Sequence, residues 1–196
     1  MNIESIKKLA LENHVPIIMD DTLNKIEELL KESKPKRLLE IGTAVGYSAI
    51  CFEKYVELKI DTIEQDEDRI LEAEKNIKEL NLNNKINLIK GNAVEILQNM
   101  VIEKEEDKYD FVFIDASKSK YPIFLEESLR LTTKNAIIVA DNVLYKGYVL
   151  GDYNKHKQRT AVRHLREFLQ MIKENEKLKS EILEVGDGLA VIRKEK

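Results

Sequence analysis

The spacing of apolar residues along the chain changes near Pro35. Before it, residues 3–13 and 22–33 carry apolar side chains at helical spacing. In the second segment these side chains share one face: Leu23, Ile26, Leu29 and Leu30. The chain therefore begins with two predicted amphipathic helices.

After Pro35, short apolar runs alternate with helical segments. We predict strands at Arg37–Ile41, Lys59–Glu64, Ile86–Ile89, Tyr109–Ile114 and Ala136–Ala140. Between them, helical patterns cover 46–56, 66–80, 92–102 and 119–131. Such alternation is typical of βα units, which build a parallel sheet with helices on both faces.

The C-terminal part predicts a different pairing. A long helix at 158–175 precedes two strands, Glu181–Val185 and Leu189–Arg193, which a Gly-Asp-Gly turn at 186–188 joins. A hairpin reverses the chain, so the last strand should run antiparallel to the others. We therefore predict one α/β domain over 1–196, with N-terminal helices in 1–34 and a core in 35–196 that contains a seven-stranded, mostly parallel sheet.

Composition excludes several classes of protein. The 196 residues carry a net charge of −4 and are 43% hydrophobic, which suits a folded core and argues against a strongly basic nucleic-acid-binding chain. A single cysteine, Cys51, cannot form an internal disulfide. The N-terminus has no apolar signal core, and no run reaches the roughly 18 apolar residues of a membrane span. We expect a cytoplasmic protein.

A glycine-rich turn follows the first predicted strand, with the sequence Glu-Ile-Gly-Thr-Ala-Val-Gly-Tyr-Ser at 40–48. No lysine follows Gly46, so the turn is not a phosphate-binding P-loop. Gly42 and Gly46 are four residues apart, which also departs from the dinucleotide fingerprint. Glu40, two residues before the first glycine, favours a cationic ligand that lacks a pyrophosphate, such as S-adenosylmethionine.

Two further strand ends complete the predicted cofactor site. Glu64 ends the second strand, where an acid can accept both ribose hydroxyls, although on its own it could be an exposed strand end. Gly91, Asn92 and Ala93 follow the third strand, where the adenine edge should lie.

Acidic residues also end two later strands. Asp115 follows one, and Asp141 and Asn142 follow the next. The carboxyl ends of parallel strands lie at one edge of a sheet, so these side chains can converge. Three hard oxygen ligands suit Mg²⁺, Ca²⁺ or Mn²⁺ rather than zinc. The alternative is that these residues only cap the helices that follow.

These motifs resemble those of class I S-adenosylmethionine-dependent methyltransferases over nearly the whole chain. The resemblance is strongest to the metal-dependent O-methyltransferases related to catechol and caffeoyl-CoA O-methyltransferases, and it implies a Rossmann-like fold. It also implies cofactor contacts at Met19, Tyr47, Ser48 and Asp115. Family members of this type are often homodimers, and the N-terminal helices are candidates for the contact.

Lys118 is the predicted catalytic residue. It lies three residues after Asp115, and the matching lysine of the catechol-type relatives is the general base. Methyl transfer from a sulfonium is an in-line displacement, which needs a deprotonated oxygen, and a divalent ion would favour that form. A solvated lysine at the start of a helix is the alternative. Tyr121 also matches the family pattern, although it could equally be a core residue.

The acceptor is indicated by the distribution of charge. Residues 143–166 contain six Lys and Arg residues and one acid. Within the predicted helix, Arg159, Arg163 and Arg166 share one stripe, which with Lys146 forms a predicted basic rim for RNA. Aromatic residues are only 6% and Trp is absent, which does not favour an enclosed catechol pocket. An ordinary solvated helix face is the alternative.

The segments 141–149 and 157–160 resemble a bacterial branch of the family that methylates 5-hydroxyuridine at the tRNA wobble position to 5-methoxyuridine. The hydroxyl and the C4 carbonyl of that base could chelate a metal as catechol oxygens do. An anticodon loop also presents its bases without duplex melting. We therefore predict the tRNA anticodon loop as partner. The alternatives are a catechol-like small-molecule acceptor and a protein that binds S-adenosylmethionine without catalysis.

Overall fold

A seven-stranded sheet forms the centre of the molecule. The structure, a computed structural model, describes residues 2–55, 58–151 and 158–195. The strands are β1 (Arg37–Ile41), β2 (Lys59–Glu64), β3 (Ile86–Lys90), β4 (Tyr109–Ile114), β5 (Thr132–Ala140), β6 (Leu178–Leu183) and β7 (Leu189–Lys194). Their order is β3-β2-β1-β4-β5-β7-β6. The first five are parallel, whereas β7 is antiparallel to both of its neighbours, which confirms the predicted mixed sheet.

Helices cover both faces of the sheet. They are α1 (Ile3–Glu12), α2 (Asp20–Ser33), α3 (Tyr47–Tyr55), α4 (Glu67–Glu79), α5 (Ala93–Asn99), α6 (Tyr121–Leu131) and α7 (Arg159–Glu174). Alternate strand residues enter opposite layers of the core: Leu38 packs with α1 to α4, and Leu39 with α5 to α7. None of the described helices is both long and apolar enough to cross a membrane.

Two strands begin earlier than their apolar patterns predict. β5 begins at Thr132 rather than Ala136, because the polar residues before Ala136 continue the strand and Thr132 pairs with Tyr109 beside a register shift. β6 begins at Leu178 rather than Glu181 and ends at Leu183. It is an edge strand, only partly covered, so it lacks the apolar run that marks a central strand.

Helix α5 ends three residues before the predicted position. Its last turn is closed by the guanidinium of Arg130, which donates to the carbonyl oxygens of Leu97 (2.7 Å) and Met100 (2.9 Å). The Leu97 carbonyl also accepts from the N–H of Met100 at 3.1 Å, and both carbonyls lie at the helix end, where intrahelical partners run out. A contact from α6 therefore sets this boundary, and the local sequence does not report it.

Helix α7 is attached to the rest of the fold by aromatic packing. Phe168 is fully buried, and its ring meets that of Tyr121 edge to face, with centroids 5.6 Å apart. Tyr121 begins α6 directly beside the residues that follow β4. The position of α7 is thus coupled to the carboxyl edge of the sheet.

We expect Phe168→Ala to lower the free energy of unfolding by about 3–5 kcal/mol, because it leaves a cavity between α6 and α7. Phe168→Leu keeps most of the volume and should cost less than half as much. Urea denaturation of both variants measures this difference. A loss below about 1 kcal/mol for the Ala variant would contradict this packing.

Candidate active site

One cleft of about 570 Å³ lies at the carboxyl ends of the parallel strands. Because these strands point the same way, the turns that follow them meet at one edge of the sheet. The predicted site residues that line the cleft are Met19, Gly42, Tyr47, Ser48, Glu64, Gly91, Asn92, Ala93, Asp115, Lys118, Asp141 and Asn142. The structure therefore brings the predicted cofactor and metal residues together in one continuous space.

The glycine turn packs directly against the end of β4. Gly42 has a φ of +104°, and a Cβ at this position would lie 2.2 Å from the carbonyl oxygen of Asp115. The backbone N–H groups of Gly42 and Thr43 both donate to the carbonyl of Ile63, at 3.1 and 3.2 Å. Only glycine permits this approach, which joins the ends of β1, β2 and β4.

Glu40 requires a correction to the predicted direct contact with the cofactor. It is fully buried beneath the turn and is not among the described residues that line the cleft. Its carboxylate accepts hydrogen bonds from the hydroxyls of Ser48 and Thr62, both at 2.5 Å. The reason is strand parity: in β1, Glu40 points to the face that α3 covers. It orients Ser48, which does line the cleft.

Burial strongly affects the acidity of Glu40. Loss of hydration raises its pKa to about 7, against the lowering effect of the two hydroxyl donors, and the nearby carboxylates of Asp115 and Glu64 raise it further. A proton on this carboxyl is therefore retained up to near-neutral pH.

Glu64 is held in place by the backbone. One carboxylate oxygen accepts from the N–H of Ala44 (2.9 Å), and the other from the N–H groups of Gln65 (2.9 Å) and Asp66 (3.0 Å). The side chain is nearly buried yet borders the cleft. Its remaining lone pairs can accept hydrogen bonds from a vicinal diol, as the sequence predicts for a ribose.

The wall beyond Glu64 is formed by the start of α5. The Asn92 side chain caps this helix, since its Oδ1 accepts from the N–H groups of Val94 (3.0 Å) and Glu95 (3.4 Å). Its Nδ2 donates to Gln65 across the gap at 3.4 Å. This arrangement fixes the segment in which the adenine edge is predicted.

Lys118 connects two of the predicted metal ligands. Its Nζ donates to Oδ1 of Asp115 at 3.1 Å and to Oδ1 of Asn142 at 2.6 Å. Both oxygens therefore lie around one position, which a single cation can occupy. Asn142 reaches it with a φ of +56°, a left-handed conformation that Asn tolerates better than most residues.

Asp141 is almost completely buried beside this pair. Its Oδ1 accepts from the N–H of Asn142 at 2.7 Å. Burial raises its pKa to about 7, and the negative charge of Asp115 adds to the effect. A buried carboxylate of this kind gains most from a nearby cation.

The donor set fits a hard divalent cation. Asp115, Asp141 and Asn142 offer carboxylate and amide oxygens, the ligand types that Mg²⁺, Ca²⁺ and Mn²⁺ bind. Within the described parts of the chain, no group of three or more His, Cys, Asp and Glu side chains is arranged to hold a metal. The candidate metal site consists of the two acids and the one amide.

Tyr121 is a core residue that also supports the site. Its ring is fully buried, and its hydroxyl donates to the backbone carbonyl of Asp141 at 2.8 Å. The Lys118 ammonium lies 5.8 Å from the centre of the ring. Tyr121 thus holds the end of β5 close to the end of β4.

The predicted basic rim is only partly available for a ligand. Lys146, Arg159, Arg163 and Arg166 are all exposed. Arg166 needs correction, because its guanidinium donates to the carbonyls of residues 148, 149 and 151 of the same chain. Helical spacing correctly predicts that Arg166 shares a face of α7 with Arg159 and Arg163. No sequence pattern predicts that its guanidinium contacts the backbone of this loop. Two further lysines of the six basic residues counted in 143–166, Lys155 and Lys157, lie outside the described residues.

The cleft is also lined by residues that the sequence did not predict, among them Arg69, Lys120 and Phe124. Arg69 lies in the first turn of α4, three residues after the Asp66 cap, a position close to Glu64. Phe124 lies one helical turn after Tyr121. Arg69 and Phe124 each lie in the first turns of the helix that follows a strand ending at or directly before a predicted site residue, and this position is the signal that could have identified them.

Comparison with known proteins identifies the family. The profile of the O-methyltransferase family matches residues 3–195, and the chain belongs to this family. The predicted enzyme class, an S-adenosylmethionine-dependent O-methyltransferase, is thereby confirmed, as is its catechol and caffeoyl-CoA type.

Individual relatives agree in sequence and fold. A catechol O-methyltransferase of Niastella koreensis is 32% identical over 173 residues, which cover 85% of this chain and 76% of that protein. A Staphylococcus aureus structure provisionally described as a caffeoyl-CoA O-methyltransferase is 31% identical, with a TM-score of 0.89 over 99% of this chain and 92% of that one. A Bacillus cereus O-methyltransferase in complex with SAH is 26% identical, with a TM-score of 0.87 over 98% and 90%.

The buried Glu40 predicts a pH-dependent stability. The unfolded carboxyl has an ordinary pKa of 4.5, whereas the folded one is raised to about 7. The folded state therefore holds an extra proton between these values, and the free energy of unfolding falls as pH rises through this window. The contribution is at most about 3 kcal/mol.

Glu40→Gln should flatten this decline, which urea denaturation at several pH values between about 4.5 and 8 measures. Part of the slope should persist, since Asp141 titrates in the same direction. The exposed Glu176→Gln is the control and should keep the full slope. An unchanged slope in Glu40→Gln would contradict the assignment.

Proposed function

We propose that this chain transfers the methyl group of S-adenosylmethionine to a hydroxyl oxygen held beside a divalent cation, and that its acceptor is 5-hydroxyuridine at the tRNA wobble position. One observation carries the proposal: a single cleft joins the Glu64 end to the group formed by Asp115, Lys118 and Asn142. A cofactor and an acceptor can therefore meet inside it.

The cofactor end of the cleft suits S-adenosylmethionine. Glu64 offers acceptor lone pairs for the ribose diol, and the backbone of the glycine turn lines the cleft beside it. The negative groups Glu64 and Asp115 favour a cationic sulfonium between them. The SAH complex of the Bacillus cereus relative supports the same ligand class.

The other end suits a metal and a proton acceptor. Asp115, Asp141 and Asn142 would hold the cation, which when bound lowers the pKa of the acceptor hydroxyl and orients it. Lys118 reaches the same oxygens, and in its neutral amine form it can take the proton that leaves the acceptor hydroxyl, becoming the ammonium that donates to Asp115 and Asn142. The hydrogen bond from Tyr121 to the Asp141 carbonyl keeps the end of β5, and the groups on it, close to the end of β4.

The exposed cations near this end favour a polyanionic acceptor. Lys146 follows Asn142 by four residues, and Arg159 and Arg163 lie one turn apart on α7, so they can meet phosphates of an anticodon loop. The named relatives support a second candidate, a small molecule with vicinal hydroxyls, since they include a catechol O-methyltransferase. Both candidates share the cofactor and the proposed metal.

A homodimer through the N-terminal helices is part of the proposal. It is supported by the exposure of two apolar side chains on α1, Leu9 and Leu11. Sedimentation of the purified chain measures its oligomeric state.

The acceptor is tested by methyl transfer from labelled S-adenosylmethionine with Mg²⁺, using tRNA from cells that lack this enzyme and catechol in parallel. We expect label in tRNA at a wobble 5-hydroxyuridine, abolished by EDTA. Charge reversal of Arg159 and Arg163 to Glu should lower kcat/KM for tRNA at least about tenfold and reduce its salt dependence, because phosphate contacts are lost.

The control reverses the charge of Lys173, which lies at the far end of the same helix and should leave the rate unchanged. Catechol turnover should survive all three reversals. Label in catechol alone would contradict the RNA acceptor but keep the chemistry. Full activity in EDTA would contradict the metal.

A further inference from the structure

The segment that follows Asn142 is fixed at its beginning by the β6–β7 turn. The N–H groups of Val143 and Leu144 donate to the carbonyls of Gly188 (3.0 Å) and Asp187 (2.9 Å). A Cβ on Gly188 would lie 2.4 Å from the Leu144 side chain, so the turn and the segment after Asn142 are in close contact. The beginning of segment 143–151 is therefore anchored to the hairpin.

The end of this segment is fixed by Arg166 of α7. Its Nε donates to the carbonyl of Val149 at 3.0 Å, and Nη2 donates to the carbonyls of Tyr148 (3.3 Å) and Gly151. These carbonyls belong to neighbouring residues of one turn. The planar fork of arginine can reach all three at once, which a lysine ammonium on a flexible stem does less well.

Between the two anchors the backbone is strained. Tyr145 and Lys146 have φ values of +43° and +57°. Asn142, which directly precedes the first anchor, has a φ of +56°. Residues other than glycine rarely adopt such backbone conformations, which persist only where the surrounding structure holds them. The hydrogen bonds at both ends of the segment supply part of that constraint. Turns inside it supply the rest: the N–H of Tyr145 donates to the Asn142 carbonyl (3.2 Å), and the N–H of Val149 donates to the Leu144 carbonyl (3.4 Å), which links the two ends.

We propose that Arg166 is a positioning residue for the acceptor side of the active site. By holding the three carbonyls it fixes segment 143–151, and through this segment it fixes the backbone that presents the Asn142 amide to the cleft. Arg166 acts on local protein structure and does not itself bind the acceptor. The inference rests on the proposed function only in taking the acceptor to bind beside Asn142.

The test compares Arg166→Ala and Arg166→Lys with the control Lys173→Ala on the same helix. Hydrogen exchange is the readout that needs no substrate: the amides of Val143 and Leu144 should exchange at least about tenfold faster in Arg166→Ala, less so in Arg166→Lys. KM for the acceptor, tRNA or catechol, should rise about tenfold in Arg166→Ala, whereas the Kd for SAH should stay within about twofold.

The outcomes separate this inference from the proposed function. Unchanged exchange at Val143 and Leu144 would overturn the positioning role, and so would a loss of tRNA turnover with unchanged catechol turnover, which marks a direct RNA contact. Equal losses of SAH affinity and acceptor turnover would also overturn it, because they indicate general destabilisation. A wild-type chain that methylates neither acceptor rejects the proposed function, while the exchange comparison still decides the role of Arg166. Where the Ala variant fails to fold, Arg166→Lys carries the same comparison.

Discussion

The active site depends on the close contact between the glycine turn and the end of β4. Gly42 lies so near the Asp115 carbonyl that no side chain fits. The N–H groups of Gly42 and Thr43 donate to the carbonyl of Ile63, near the end of β2. These contacts hold the ends of β1, β2 and β4 together at one point. Glu64 and Asp115, on either side of β1, therefore face the same cleft at a fixed separation.

Two carboxyl groups of this site are buried, which makes their charged forms costly. Glu40 lies beneath the glycine turn and Asp141 lies at the end of β5, and burial raises the pKa of each to about 7. Perturbed carboxyls of this kind concentrate at functional sites, where the rest of the fold offsets their cost. Here the offset comes from the apolar layers on both faces of the sheet and from Tyr121, which is bonded to the carbonyl of Asp141.

The parts of the structure that the sequence predicts are those in which apolar residues follow a regular pattern. β1, β2 and β4 lie within the predicted bounds because they are apolar runs buried on both faces. The start of β5 was missed because Thr132 pairs in a strand without an apolar side chain. A motif alone could not show that Glu40 points away from the cleft, since that follows from which face of β1 the helix α3 covers. Arg166 was misjudged for a related reason: helical spacing defines the face of α7, but its partners are backbone carbonyls of a loop, which leave no mark in the sequence.

We infer that the Gly42 contact, rather than the glycine conformation alone, assembles the site. The most direct measurement is the calorimetric affinity for SAH of Gly42→Ala and Gly46→Ala. Both positions have positive φ, but a Cβ on Gly46 would meet only ordinary contacts, the nearest 3.6 Å away at Ala73. We predict that Gly42→Ala weakens SAH binding at least about tenfold more than Gly46→Ala does. Equal affinities in the two variants would contradict the account.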